Sequence, residues 1–228
     1  MKKDEKLKLF LVLLPFCNDI DLEQNRSNEL KIKFNRKRFY INNILYKERN
    51  VPEFIMDSYK EELEVLPEYI LKYYVYHGVK MYVTNRKLRF LIRNEIGYDL
   101  GPAEIGGVFI NLPDKLKGYV SSNYYSYHYV LLHELGHGID IVEKFYGIGF
   151  EPSATNEFRQ IYFEEARRVF NKQGMIYANS PKEYWAQCFA LYNLDQETLK
   201  NKAPKTFAYM ALILLNIKMR IETYRIAM

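Results

Sequence analysis

The run from Val130 to Asp140 contains His133-Glu134-Leu135-Gly136-His137, the H-E-x-x-H spacing of zinc-dependent hydrolases. Two histidines four apart project from one side of a helix, so both imidazoles can meet a single Zn²⁺. Glu134, one position along, reaches the water that such an ion carries. The competing reading is an ordinary helix with two surface histidines. Against it, the chain has only four histidines, and this pair follows the apolar run Tyr129-Val-Leu-Leu132, beside which polar side chains need partners.

A catalytic tetrahedral zinc needs a third protein ligand and keeps its last position for water. No third histidine follows at the metzincin spacing, so a carboxylate is required. Asp140, Glu143, Glu157, Glu164, Glu165 and Glu183 are the downstream candidates. Asp140 and Glu143 lie one or two turns further along the same helix and cannot easily bend back to the metal. Asp140 is better placed to accept a hydrogen bond from a ligand histidine or to anchor the helix. Ser180-Pro-Lys-Glu183 is also a capping box, in which Glu183 would instead satisfy a helix N-terminus.

Three blocks resemble the lethal-factor-like zinc metalloproteases, the family that includes anthrax lethal factor and the clostridial Pro-Pro endopeptidases. They are His133-Glu-Leu-Gly-His-Gly-Ile-Asp140, Ser180-Pro-Lys-Glu-Tyr-Trp-Ala-Gln-Cys-Phe-Ala-Leu-Tyr192 and Ala203-Pro-Lys-Thr-Phe207. In order and approximate separation they cover roughly residues 125–215. The resemblance implies a zincin-like α+β fold and one Zn²⁺ per chain, held by His133, His137 and Glu183. It implies Glu134 as general base and Tyr177 as a donor to the oxyanion, although Tyr177 stands one residue closer to Glu183 than the family tyrosine does. Gln187 stands where the family has a second glutamate beside the metal, so an amide replaces a carboxylate that would raise ligand basicity. The implied activity is peptide-bond hydrolysis. A zinc-binding but inactive interaction module and a zinc hydrolase of a non-peptide substrate are the alternatives. Such proteases hold extended substrates on an edge strand, for which Ile105–Leu112 is the candidate, a plain core strand being the other reading.

The elements that must position these residues are legible in outline. With 228 residues, 48% of them hydrophobic, the chain can bury a full core, and the expectation is one catalytic domain over residues 1–228. Residues 1–122 carry an N-terminal mixed sheet with helices, and 123–228 are mainly helical and hold the zinc site. Residues 7–14, Leu30–Phe34 and Arg38–Ile41 read as strands. From Pro52 to His77 apolar residues recur every three or four, split into two helices by Pro67, and His77-Gly78 ends the second. Val79–Thr84 and Ile105–Leu112 read as strands. The motif helix is expected from about Tyr125 to Phe145, closed by Gly147 and Gly149. Helices follow over Glu157–Phe170, Ser180–Tyr192 and Pro204–Tyr224, with Pro181 and Pro204 in first turns.

The net charge of +5 is spread through both halves, so no nucleic-acid partner is expected. No run is long enough to cross a bilayer. The N-terminus has the outline of a secretion signal, but Asp4 and Glu5 interrupt its basic start and no small-residue cleavage site follows, which favours a first strand. The resemblance implies secretion, with the cytoplasm as the alternative, and it leaves any toxin-delivery partner unnamed. Cys17 and Cys188 lie far apart in sequence and read as two buried free thiols.

Overall fold

The computed structural model describes residues 35–97, 105–112, 115–124, 129–172 and 174–224. The chain divides into two compact units, Met1–Phe39 and Tyr40–Met228, and every element described below apart from residues 35–39 belongs to the second. The strands expected at 7–14 and Leu30–Phe34, and Cys17, lie outside the described residues. Cys188 is a buried free thiol.

Residues 35–44 are helical (α1), which corrects the strand expected at Arg38–Ile41. Ile41 and Ile44 are the buried positions, and a spacing of three fits one helix face rather than strand alternation. β1 (Leu45–Lys47) follows, then α2 (Glu53–Glu64) and α3 (Glu68–Tyr76). Pro52 and Pro67 stand immediately before these two helices, each followed by a glutamate that complements the helix dipole. Gly78 turns the chain with φ of 70° into β2 (Lys80–Thr84).

Besides β1, two elements here escaped the sequence reading. One is α4 (Leu88–Ile96), short and closed by the left-handed Gly97; the other is β4 (Lys115–Ser121), whose lysines and central glycine mask its pattern. With β3 (Gly107–Leu112) they complete a four-stranded sheet of order β1-β2-β4-β3. β1, β2 and β4 run parallel, β3 pairs antiparallel with β4, and β3 therefore forms one edge. The fold is α+β, mostly helical with a small mixed sheet, as expected.

The second half supplies α5 (Val130–Tyr146), α6 (Asn156–Val169), α7 (Pro181–Leu194), α8 (Gln196–Lys202) and α9 (Pro204–Tyr224). α8 was not expected: it is polar and short, and Asp195 caps it by accepting the Thr198 N–H. α5 is the central element. Leu131, Leu132, Leu135, Ile139 and Val142 are buried in the main core with Met81, Val83 and Val120 of the sheet, Tyr59 and Leu63 of α2, and Trp185 and Phe189 of α7. A smaller core on the opposite sheet face joins Leu88, Leu91 and Ile92 of α4 to Ile110 and Tyr119.

The far end of α5 is fixed by charge. Glu143, fully buried, is paired with Arg220 of α9 and accepts a 2.5 Å hydrogen bond from the Tyr73 hydroxyl of α3. A buried carboxylate requires such partners. His77 lies against the Tyr73 and Tyr146 rings, and burial, reinforced by Arg220, pushes its pKa down to about 4. The unfolded chain, with an ordinary histidine near 6.5, takes up this proton first as pH falls. Stability from a neutral His77 is therefore complete above about pH 6.5 and is lost progressively towards pH 4. Urea unfolding of His77→Phe should show a shallower loss of stability than wild type between those pH values, and the same slope above pH 7.

Candidate metal centre

α5 presents His133 and His137 on one face, their rings perpendicular with centroids 4.8 Å apart and their Nε2 atoms 3.2 Å apart. Glu183, in the first turn of α7, reaches across: its carboxylate oxygens lie 3.1 Å from His133 Nε2 and 3.5 Å from His137 Nε2. One ligand atom from each of the three residues falls within 4.8 Å of the others. Of the six candidate carboxylates, this is the one that meets the histidines. Glu143 serves Arg220 and Tyr73, Glu164 pairs with Lys205, Glu165 accepts from Lys205 and Thr206, and Glu157 sits exposed in the first turn of α6.

The helix pair is held close by small residues and a bond to a helix carbonyl. A Cβ on Gly136 would come within 2.8 Å of the Ala186 Cα of α7. The Trp185 Nε1–H donates to the Gly136 carbonyl at 2.9 Å, and from the other side the Tyr74 hydroxyl donates to the Leu135 carbonyl at 2.7 Å. Ser180 caps α7 by accepting the Glu183 N–H at 3.2 Å, which is half of the capping box. The carboxylate that would complete the box faces the imidazoles instead.

Burial alone would raise the Glu183 pKa, but the two imidazoles hold it well below the usual carboxylate range. Burial lowers and the Glu183 and Glu134 carboxylates raise His137, for a net upward shift. Three lone-pair donors converging this closely repel one another unless a cation or a proton sits among them. Donors each 2.0–2.1 Å from a tetrahedral zinc are about 3.4 Å apart, and a His₂Glu set is a known catalytic combination. The residues present fit a zinc ion. The Nδ1 atoms of both histidines are buried without hydrogen-bond partners among the described residues.

Glu134, next to His133 on the same turn, lies against β3. It is 6% exposed, and a Cβ on Gly107 would lie 2.6 Å from its Cγ and 2.7 Å from its Oε1. Burial raises its pKa, opposed by His133 and His137. Asp140 anchors α5: its Oδ1 accepts the Ser153 N–H at 2.9 Å, and burial pushes its pKa up to about 7. Of its two expected roles the anchoring bond is present, and Oδ2 has no hydrogen-bond partner among the described residues. Gln187 lies one turn after Glu183, half-buried. Tyr177 stands between the 174–176 turn and α7, 68% exposed, its N–H on the Gly174 carbonyl.

Sequence reasoning missed the residues that set up this geometry. Gly107 had a signal, since paired glycines opening a strand mark a close approach. Glu62 had none. It sits in an ordinary amphipathic helix, α2, yet its carboxylate accepts the Leu132 N–H of α5 at 2.9 Å.

Residues 109–213 match the family model described as the anthrax toxin lethal factor N- and C-terminal domain. Over 83 residues the chain is 32% identical to a Pro-Pro endopeptidase of Clostridioides difficile (strain 630), a match spanning 35% of this chain and 34% of that relative. The aligned stretch is thus about a third of the relative's length. In structure the chain is similar to the Pro-Pro endopeptidase PPEP-2 of Paenibacillus alvei, with a TM-score of 0.57 and 22% identity over 76% of this chain and 99% of that one. These findings bear out the resemblance to the lethal-factor-like and Pro-Pro endopeptidase family.

The α5–α7 contact generates a test. In Gly136→Ala the new methyl meets backbone, so the helices must separate, at a cost of about 1–3 kcal/mol. Gly138→Ala meets side chains alone, the Phe109 ring edge at 3.1 Å and the Tyr74 ring at 3.4 Å, and the closer one can yield. Denaturant titration should show a clear loss of stability for Gly136→Ala and a smaller one for Gly138→Ala.

Proposed function

We propose that the chain is a zinc-dependent endopeptidase with a zincin-like catalytic unit, in which His133, His137 and Glu183 hold the metal and Glu134 is the general base. The observation that carries this reading is the convergence of those three side chains from two helices, with the Glu134 carboxylate set between them and an open strand edge. A zinc ion held there supplies Lewis acidity, activating water at neutral pH and polarising the carbonyl under attack.

The chain's own groups would do the rest. Glu134, desolvated beside Gly107, takes the proton of the attacking water and delivers it to the leaving amine. The Tyr177 hydroxyl, on the segment leading into α7, donates to the developing oxyanion. Asp140 holds the helix, and Gln187 lies one turn after Glu183 on α7.

The register of β3 supports a peptide substrate. Val108 and Ile110 pair opposite Tyr119 and Lys117, and the Ser121 N–H donates to the Gly106 carbonyl, so alternate residues bond to β4. The main-chain groups of Gly107, Phe109 and Asn111 then point to the open edge, at the spacing an added extended chain needs. The relatives named Pro-Pro endopeptidases make proline-containing peptides the first substrates to try, and the family resemblance supports action outside the cell.

Mass spectrometry of the purified protein should find about one zinc per chain, and wild type should cleave members of a peptide library that includes Pro-Pro sequences. Glu134→Gln should keep the zinc and lose cleavage by at least about 10²-fold, the scale of a general base. Full cleavage by that variant would sink the assignment, and zinc without cleavage by wild type would favour an inactive binding module.

A further inference from the structure

α5 begins without a local cap. Its N-cap residue is Tyr129, with φ of 91° and no side-chain hydrogen bond to the first turn, and an aromatic side chain cannot accept one in the way serine or aspartate does. The orphan amides of that turn must be satisfied from elsewhere. They are met by α2. The Glu62 Oε1 accepts the Leu132 N–H at 2.9 Å, a bond that opposes the rise burial imposes on its pKa. One turn earlier on the same helix, the Tyr59 hydroxyl donates to the Ser121 carbonyl at 2.8 Å, at the end of β4. Tyr59 and Glu62, three apart, therefore hold both the exit of β4 and the start of α5.

The position of this cap matters because His133 follows Leu132 directly. A carboxylate bonded to the amide of residue 132 fixes the axial and rotational setting of the turn that carries His133 and Glu134. It adds charge at the positive end of the helix dipole. Without it, the first turn is free to fray, and the Nε2 of His133 would no longer be held 3.1 Å from Glu183.

We propose that Glu62 is a positioning residue for the metal centre: it caps α5 from α2 and thereby sets His133 for binding zinc. This rests on the metal-centre reading above, but its test does not depend on turnover. Glu62→Ala removes the acceptor, whereas Glu62→Gln keeps an oxygen of the same reach. Tyr73→Phe removes a hydrogen bond at the opposite end of α5 and serves as the control for general loss of stability.

The readouts are amide hydrogen exchange over residues 129–133 in metal-free protein and zinc affinity by chelator competition. Expected for Glu62→Ala is at least 10-fold faster exchange in the first turn and zinc binding about 10-fold weaker, the scale of an outer-sphere loss. Glu62→Gln should stay within threefold of wild type in both, and Tyr73→Phe within threefold in affinity. Wild-type zinc affinity in Glu62→Ala would overturn the proposal, and so would equal weakening by Tyr73→Phe. Wild type that binds no zinc at all would instead defeat the metal-centre reading, leaving the exchange result to judge the cap alone.

Discussion

The close approach of α5 and α7 is the constraint on which the centre depends. Glu183 can reach two histidines on a neighbouring helix only because Gly136 and Ala186 let the backbones come within a methyl group of clashing. Protein interiors do not leave such gaps to be closed by chance, since a single added carbon must be accommodated somewhere. The bond from Trp185 to the Gly136 carbonyl sits at the same crossing and fixes how far the helices slide. Helix crossing, the convergence of His133, His137 and Glu183, and the buried Trp185 are one feature seen at three scales.

Around that crossing, carboxylates serve as structural acceptors at helix ends. Glu62 meets the start of α5, and Glu165, from α6, accepts the Lys205 and Thr206 N–H groups and the Thr206 hydroxyl at the start of α9. Neither α5 nor α9 opens on a residue able to cap itself, as Tyr129 and Ala203 stand there. Each helix is instead terminated by a side chain from another, which ties local order to tertiary packing. Thr206 passes the connection on to Tyr184, one residue after Glu183. The Ala203-Pro-Lys-Thr-Phe207 block thus contacts α7 through Thr206, giving its sequence character a physical basis.

The arrangement also divides labour across one helix turn. His133 and His137 face α7 and the imidazole–carboxylate cluster, while Glu134 faces the glycine at the start of the edge strand. A strand edge is ordinarily a liability that proteins cover or blunt. Here, among the described residues, β3 leaves its outer main-chain groups unpaired in the sheet next to a buried carboxylate, which is a use rather than a defect if an extended peptide occupies it.

Much of this was written locally. The spacing of His133, Glu134 and His137, the break at Pro67, the turn at His77-Gly78 and the first-turn prolines Pro181 and Pro204 are short-range signals, and each element they announce is present. Where local pattern was weak or ambiguous it failed: four residues at 38–41 alternate like a strand but lie in a helix, and the lysine-rich β4 and polar α8 have no periodicity to read. The choice among six carboxylates could not be made from spacing. Glu183 lies 46 positions beyond His137 in sequence, and only the crossing at Gly136 brings it there. Glu62 and Gly107 acquire their roles the same way. The sequence alone determined which side chains could do the chemistry, because helical repeat places them on one face. Tertiary structure decided which partners meet them, because contacts between distant segments depend on how closely backbones can approach.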